Sequence, residues 1–477
     1  MITNRETTVK LTEEGQIINK LVAKAKLAQQ QIENYNQEQT NELVTAVSWA
    51  LYKQENAEYL ARFGVEETGM GKYEDKVIKN RRKTLGTLRD LLNPKAKSVG
   101  IIDVDEKTGI TQIAKPLGVV GALTPVTNPS ATPVNKTMMI LKGRNAVILA
   151  PHPRGKKTCG EVVRLMHNEL AKIKAPLDLI QYLNEPTKEL TQELMSQVDL
   201  VVATGGQPMV RAAYSSGTPA LGVGAGNAVV IIDTTADIES ATDKIVSSKI
   251  FDYATSCSSE NSLVIQEAIY DQVLDLLKQK GGYLVSPKEK ESLQTVAFSD
   301  GHLFPGIVGQ SPQIIASLAG IPIEQTKEVK FLMVEEEGIG KEHPFSGEKL
   351  SVILTLYKYG AFEEALDKVE RIIKYEGMGH SCGIHSIDED HILKLANRMK
   401  VSRILVNQAQ CFGNGGNFDN GLNFTLTMGC GTWGGNSITE NLSYKHFINI
   451  SRLSRVIPDE IPTEEQLWGS YLIKYGE

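Results

Sequence analysis

GVVGALTPVTNPSATP, residues 118–133, runs from a short apolar stretch straight into a cluster of turn formers. Val119 to Leu123 shows no apolar/polar alternation and is too short for a typical helix. Such a run reads as a strand buried on both faces of a parallel sheet. The same texture recurs in NAVILAP (145–151), DLVVATGG (199–206) and NAVVIID (227–233). Between these runs, CGEVVRLMHNELAKI and TKELTQELMSQV carry apolar residues at helical spacing. The alternation predicts βαβ units and a doubly wound, Rossmann-type α/β sheet.

Upstream, QIINKLVAKAKLAQQQI places Ile17, Ile18, Leu21, Val22, Ala25, Ala28 and Ile32 on a helical stripe. SVGIIDVDEKTGITQIAKP (98–116) has two alternating stretches around Glu106–Gly109, the pattern of a projecting β-hairpin. A second α/β rhythm follows residue 235. From about 410 the chain is rich in Gly and Asn and reads as loops.

The 477 residues suffice for about three domains. With 41% apolar and 23% charged residues, the composition is that of a globular protein rather than a disordered one. A net charge of −6 argues against a nucleic-acid partner, which calls for a basic stripe. The cysteines at 159, 257, 382, 411 and 430 form no CxxC pair and no zinc-spaced cluster, so no metal site and no disulfide framework is expected. Scattered thiols point to a reducing, cytoplasmic setting. MITNRETTVKLTEEG contains no apolar signal region, and no run reaches the ~18 residues of a membrane span, so no membrane partner is expected.

Four places carry candidate chemistry. Gly205-Gly206 ends a strand and opens a helix, where bare backbone amides can meet a pyrophosphate. APHPRGKK sets His152, Arg154, Lys156 and Lys157 just past a strand's carboxyl end, either as ligand groups or as a solvated basic turn. Asn128 either caps a helix or aims its amide at a developing oxyanion. In FDYATSCSSENS (251–262), Cys257 stands among small hydroxyl residues, as a nucleophile or as an inert thiol in a polar loop.

In order along the chain, TPVTNPSATP, APHPRGKK, ATGGQPMVRAAYSSGTPALGVGAGN, SKIFDYATSCSSENS and TMGCGTWGGNSITEN resemble the CoA-acylating branch of the aldehyde dehydrogenase superfamily, over about residues 15–455. The resemblance implies that Cys257 is the catalytic nucleophile and Asn128 the side-chain donor of the oxyanion hole. It also implies a nicotinamide cofactor held around Thr124, Pro125, His152, Arg154, Gly205, Gly206 and Gly222. Glu348, in GEKLSV, matches the carboxylate on the nicotinamide ribose, although Val352 replaces the usual proline of that motif. His380, in EGMGHSCGIHS, is a candidate to assist an incoming thiol or a structural histidine.

Two departures are informative. Hydrolytic relatives carry Glu-Leu-Gly-Gly where this chain has Gly222-Val223-Gly224-Ala225, so the base that activates water is missing. A thiol of pKa ~8.5 is already a few per cent ionised near neutrality and needs no such base. CoA is therefore the expected acyl acceptor, with Gly222 leaving room for its pantetheine arm. NAD-preferring relatives hold the adenosine ribose with a Lys-Pro-x-Glu turn. Here the turn is His152-Pro153-Arg154-Gly155, which favours NADP while leaving NAD open.

The tail NQAQCFGNGGNFDNGLNFTLTMGCGTWGGNS is most similar to enzymes of short anionic aldehydes, sulfoacetaldehyde first, succinate semialdehyde second and acetaldehyde behind them. Arg403, Gln408, Gln410, Thr255, Ser256 and Ser258 are the candidate donors to the anionic group. The implied architecture is a cofactor domain (1–99 and 117–234), a catalytic domain (235–433) and an oligomerisation flap (100–116 and 436–455). A homodimer or homotetramer is expected.

Overall fold

The computed structural model describes residues 12–299, 301–323 and 328–476, so most of MITNRETTVKLTEEG lies outside the described residues. Two parallel sheets organise the chain. The first has the strand order Ile180–Tyr182, Ala146–Pro151, Val119–Thr124, Leu200–Thr204, Ala220–Val223. Val119–Thr124 and Ala146–Pro151 are buried along their whole length. Burial on both faces, with helices covering each side, is why these strands read as unbroken apolar runs.

The second sheet has the order Gly282–Leu284, Phe331–Glu335, Ile353–Tyr359, Glu260–Gln266, Ala228–Ile232, Gly379–His385, Val401–Val406. Ala228–Ile232 was expected in the cofactor unit, whose end was placed at residue 234. It pairs instead with Glu260–Gln266 and Gly379–His385, so the chain crosses between sheets at residues 224–227. Run length and apolarity reveal a buried strand but not which sheet receives it.

Helix Glu13–Ile32 is capped by Thr12, whose side chain accepts from the Gly15 amide at 3.0 Å, with Glu13 and Glu14 favourably placed at the positive end. Its stripe docks through Ile18, Val22, Ala25, Ala28 and Ile32 on the first core. Gly100–Asp105 and Ile110–Lys115 form the antiparallel hairpin, and Asn449–Ser454 adds a third strand. The flap segment expected from residue 436 is shorter in fact. Leu442, Tyr444, Phe447 and Ile448 are buried in the first core rather than projecting with the hairpin. Among the described residues, no helix is long and apolar enough to cross a membrane, and no cluster of metal-binding side chains occurs.

Candidate active site

A cavity of about 310 Å³ opens at the carboxyl end of the first sheet, where it faces the second. Pro125 and Asn128 line it from the turn after Val119–Thr124, and His152 from the turn after Ala146–Pro151. Gly205 and Gly206 enter from the turn that opens helix Gln207–Tyr214. The second sheet's side supplies Thr255, Cys257, Glu348 and His380. Thus one wall holds the expected cofactor turns and the opposite wall the expected nucleophile.

Cys257 sits just ahead of the strand Glu260–Gln266, partly open to the cavity. Burial pushes its thiol up to about 12, with the nearby Glu348 carboxylate acting in the same direction. The Arg403 charge and the cysteine's own backbone N–H favour the thiolate. Asn128 accepts at Oδ1 from Lys79 Nζ (2.9 Å), while its Nδ2 donates to Thr127 Oγ1 (3.3 Å).

Glu348 donates its backbone N–H to Glu376 Oε2 at 2.7 Å, but its buried Oε1 has no partner. Burial and the neighbouring Glu376 hold its carboxyl well above the ordinary range. An unpartnered acceptor at the cavity wall suits a ribose hydroxyl, and the Gly205-Gly206 turn suits a pyrophosphate. The residues present therefore fit a nicotinamide dinucleotide. His152 Nδ1 accepts from the Arg154 backbone N–H at 3.1 Å, and burial keeps its pKa low, so the ring is neutral. His380 is buried. Its Nδ1 lies 2.8 Å from Ser381 Oγ, and its Nε2 has no partner. Burial, then the Arg403 charge, pushes its pKa down to about 3.

Several expected residues lie elsewhere. Gly222 does not line the cavity: a β-carbon there would meet Val210 Cγ1 at 2.7 Å and the Tyr214 ring at 2.8 Å. The missing carboxylate has thus left space filled by Tyr214, not a passage for pantetheine, whereas Val223, Gly224 and Ala225 do face the cavity. Arg403 is buried at the sheet's edge, donating to the carbonyls of His380 (2.8 Å) and Thr439 (3.4 Å) and to Asn441 Oδ1 (3.4 Å). It braces the tail against the sheet and reaches the site only through its charge. Ser256 does line the cavity, whereas Ser258 is buried behind it and pairs with it at 2.9 Å. Thr124 is buried, its carbonyl accepting from the His152 N–H at 3.1 Å. Gln408 lines a separate cleft, and Gln410 is fully buried. Arg154 is exposed at the surface, with Nη2 donating to the Thr68 carbonyl at 2.7 Å.

Sequence reasoning missed Lys76, Lys79 and Asp252. Both lysines lie on the helix Tyr73–Leu92 and are buried against Asp252. The signal available was their i, i+3 spacing beside Lys83, three cations on one helical stripe.

A sequence profile described as "Aldehyde dehydrogenase family" matches residues 5–294. A protein named sulfoacetaldehyde dehydrogenase, from Acholeplasma sp., is 49% identical over 455 residues, covering 94% of this chain and 93% of its own length. One named sulfoacetaldehyde dehydrogenase (acylating), from Cupriavidus necator, is 47% identical and covers 96% of this chain and 92% of its own. Among solved structures, an acetylating aldehyde dehydrogenase from Geobacillus thermoglucosidasius superposes with a TM-score of 0.90 at 38% identity, covering 94% of this chain and 98% of that one.

Proposed function

The chain belongs to the aldehyde dehydrogenase family, and from that premise we propose that it oxidises a short anionic aldehyde to its acyl-CoA, with NADP or NAD as the hydride acceptor. The observation that carries this reading is the cavity wall itself. It joins Cys257 and Asn128, and its one carboxylate among the described residues is Glu348.

The Cys257 thiolate adds to the aldehyde carbon and forms a thiohemiacetal. The new oxyanion is met by the Asn128 amide and the Cys257 backbone N–H. A nicotinamide held by these residues would supply the hydride acceptor needed to turn the thiohemiacetal into a thioester on Cys257. Glu348, whose Oε1 has no partner, would hold the ribose, and its carboxyl would then be engaged there rather than with a water. Water then lacks a carboxylate base, whereas the CoA thiol is already a few per cent ionised near neutrality and its thiolate takes the acyl group. The neutral His380, with Nε2 unpartnered, lines the same cavity and offers that thiol a hydrogen-bond acceptor.

Sulfoacetaldehyde is the preferred substrate in this reading, supported by the names of two similar relatives. Succinate semialdehyde is second. The hairpin's exposed Ile101 and Val104, with Leu453 on the added strand, supply an apolar edge for pairing with a second copy, giving a homodimer or homotetramer.

Sulfoacetaldehyde and NADP are mixed with and without CoA while absorbance and acyl-CoA are followed together. Without CoA, reduced nucleotide should stop at about one equivalent per site; with CoA, both products should rise in step. Sustained turnover to free acid without CoA would falsify the acylating reading.

A further inference from the structure

The Lys79 ammonium has three N–H donors and three partners: Asn128 Oδ1 at 2.9 Å, Thr255 Oγ1 at 3.1 Å and, closest, Asp252 Oδ2. Asp252 opens a run of three non-glycine residues in the left-handed region, Asp252, Tyr253 and Ala254, at φ +51°, +48° and +56°. Each such residue costs roughly 1–2 kcal/mol, so the turn persists only because its surroundings enforce it.

The enforcement is visible. Asp252 Oδ1 accepts from the Lys72 N–H at 2.8 Å, and Oδ2 accepts from Lys76 Nζ at 3.1 Å and Thr255 Oγ1 at 2.6 Å. The Asp252 N–H donates to Asp75 Oδ2 at 2.9 Å. Lys76 Nζ also donates to the Thr127 carbonyl at 3.1 Å, tying the same helix to the residue before Asn128.

A carboxamide has nearly the same shape either way round, so its partners decide which end faces the cavity. An ammonium carries only donors and therefore takes the oxygen. One hydrogen of Asn128 Nδ2 goes to Thr127 Oγ1, which leaves the other for the cavity.

Resting on the acyl-transfer reading above, we propose that Lys79 is a positioning residue that orients the Asn128 amide and holds it in register with the nucleophile loop. The two halves of the oxyanion hole, Asn128 just after a strand of the first sheet and Cys257 just before a strand of the second, thereby share one origin on helix Tyr73–Leu92. The cation on the amide oxygen also polarises the N–H that points the other way.

The test is a double-mutant cycle with Lys79→Met and Asn128→Ala, measuring kcat, KM for NADP and thermal midpoint. If Lys79 acts through Asn128, each single variant should lose on the order of 10²-fold in kcat. The double variant should be no slower than Asn128→Ala, with KM for NADP unchanged. Losses that multiply, or Lys79→Met within twofold of wild type beside a crippled Asn128→Ala, would overturn the role of Lys79 alone. Full turnover in Asn128→Ala would instead remove Asn128 from the reaction, and the proposal with it. Asn128→Asp needs no loss of packing, because its carboxylate still accepts from Lys79. It should be as slow as Asn128→Ala, and normal turnover there would overturn the assigned amide orientation.

Discussion

Gly226 passes directly over the backbone of Cys257. A β-carbon built on it would lie 2.8 Å from the cysteine's carbonyl carbon and closer still to the oxygen. The segment that links the two sheets thus packs on the nucleophile's own peptide, and only a residue without a side chain allows it.

Replacing Gly226 by alanine should therefore move the Cys257 loop, since backbone atoms cannot swing aside as a flexible side chain does. The expected result is a loss of more than about tenfold in kcat, on the scale of a misplaced reacting group. A lowered thermal midpoint should accompany it, because overpacking costs roughly 1–3 kcal/mol. Gly421→Ala, where a β-carbon meets nothing within 4 Å, is the matched control. Equal kcat in the two variants would show that the close approach has no consequence for catalysis.

Much of this arrangement is legible in the sequence, for definite reasons. Val119–Leu123 and Ala146–Ala150 are buried on both faces, so their pattern survives in one dimension. Cys257 and Asn128 are carried by long local motifs. What the sequence hides is pairing across distance. Ala228–Ile232 looks like its neighbours yet joins the other sheet. Arg403 has the chemistry to bind an anion, but its guanidinium is committed to carbonyls of His380 and Thr439. Gly222 promises room that Tyr214, eight positions earlier, has taken. Lys79 looks solvated until its distant partners Asn128 and Asp252 are brought to it.

The raised thiol of Cys257 has a measurable pH signature. With a pKa pushed up to about 12, the thiolate fraction of the free enzyme grows with pH across the whole neutral range. Inactivation by iodoacetamide should rise about tenfold per pH unit from 7 to 10, without a plateau. Saturating NADP, whose ring brings positive charge, should lower the apparent pKa and raise the rate at pH 7. A plateau below pH 9 in the free enzyme would contradict the burial argument.

His380, pushed down to about 3 by burial and the Arg403 charge, stays neutral near pH 7, so it can accept a hydrogen bond from the CoA thiol but does not hold a proton taken from it. If it serves the CoA thiol, His380→Ala should spare the first turnover and slow the later ones. Rapid mixing should show a burst of reduced nucleotide at nearly the wild-type rate, then a steady state slower by about tenfold, the scale of one lost hydrogen bond that orients the thiol. Loss of the burst itself would place His380 in the first half-reaction or in the fold.

The preference for NADP proposed above rests on Arg154, two residues beyond His152 of the cavity wall. Arg154 is exposed, and its bond from Nη2 to the Thr68 carbonyl leaves the rest of the guanidinium free for an anion. One turn on, Glu67 occupies the start of helix Lys156–Lys172, accepting from the amides of Lys157 (2.8 Å) and Thr158 (2.7 Å). Those two amides are therefore already used, which leaves the Arg154 guanidinium as the proposed partner of a 2′-phosphate rather than the helix terminus. Arg154→Ala should raise KM for NADP by about tenfold, the scale of one exposed charge-assisted contact, and leave KM for NAD within twofold. Since the Thr68 contact is lost in both assays, the ratio of the two changes isolates the phosphate. Equal shifts for the two nucleotides would assign Arg154 to bracing the rim and remove the basis for preferring NADP.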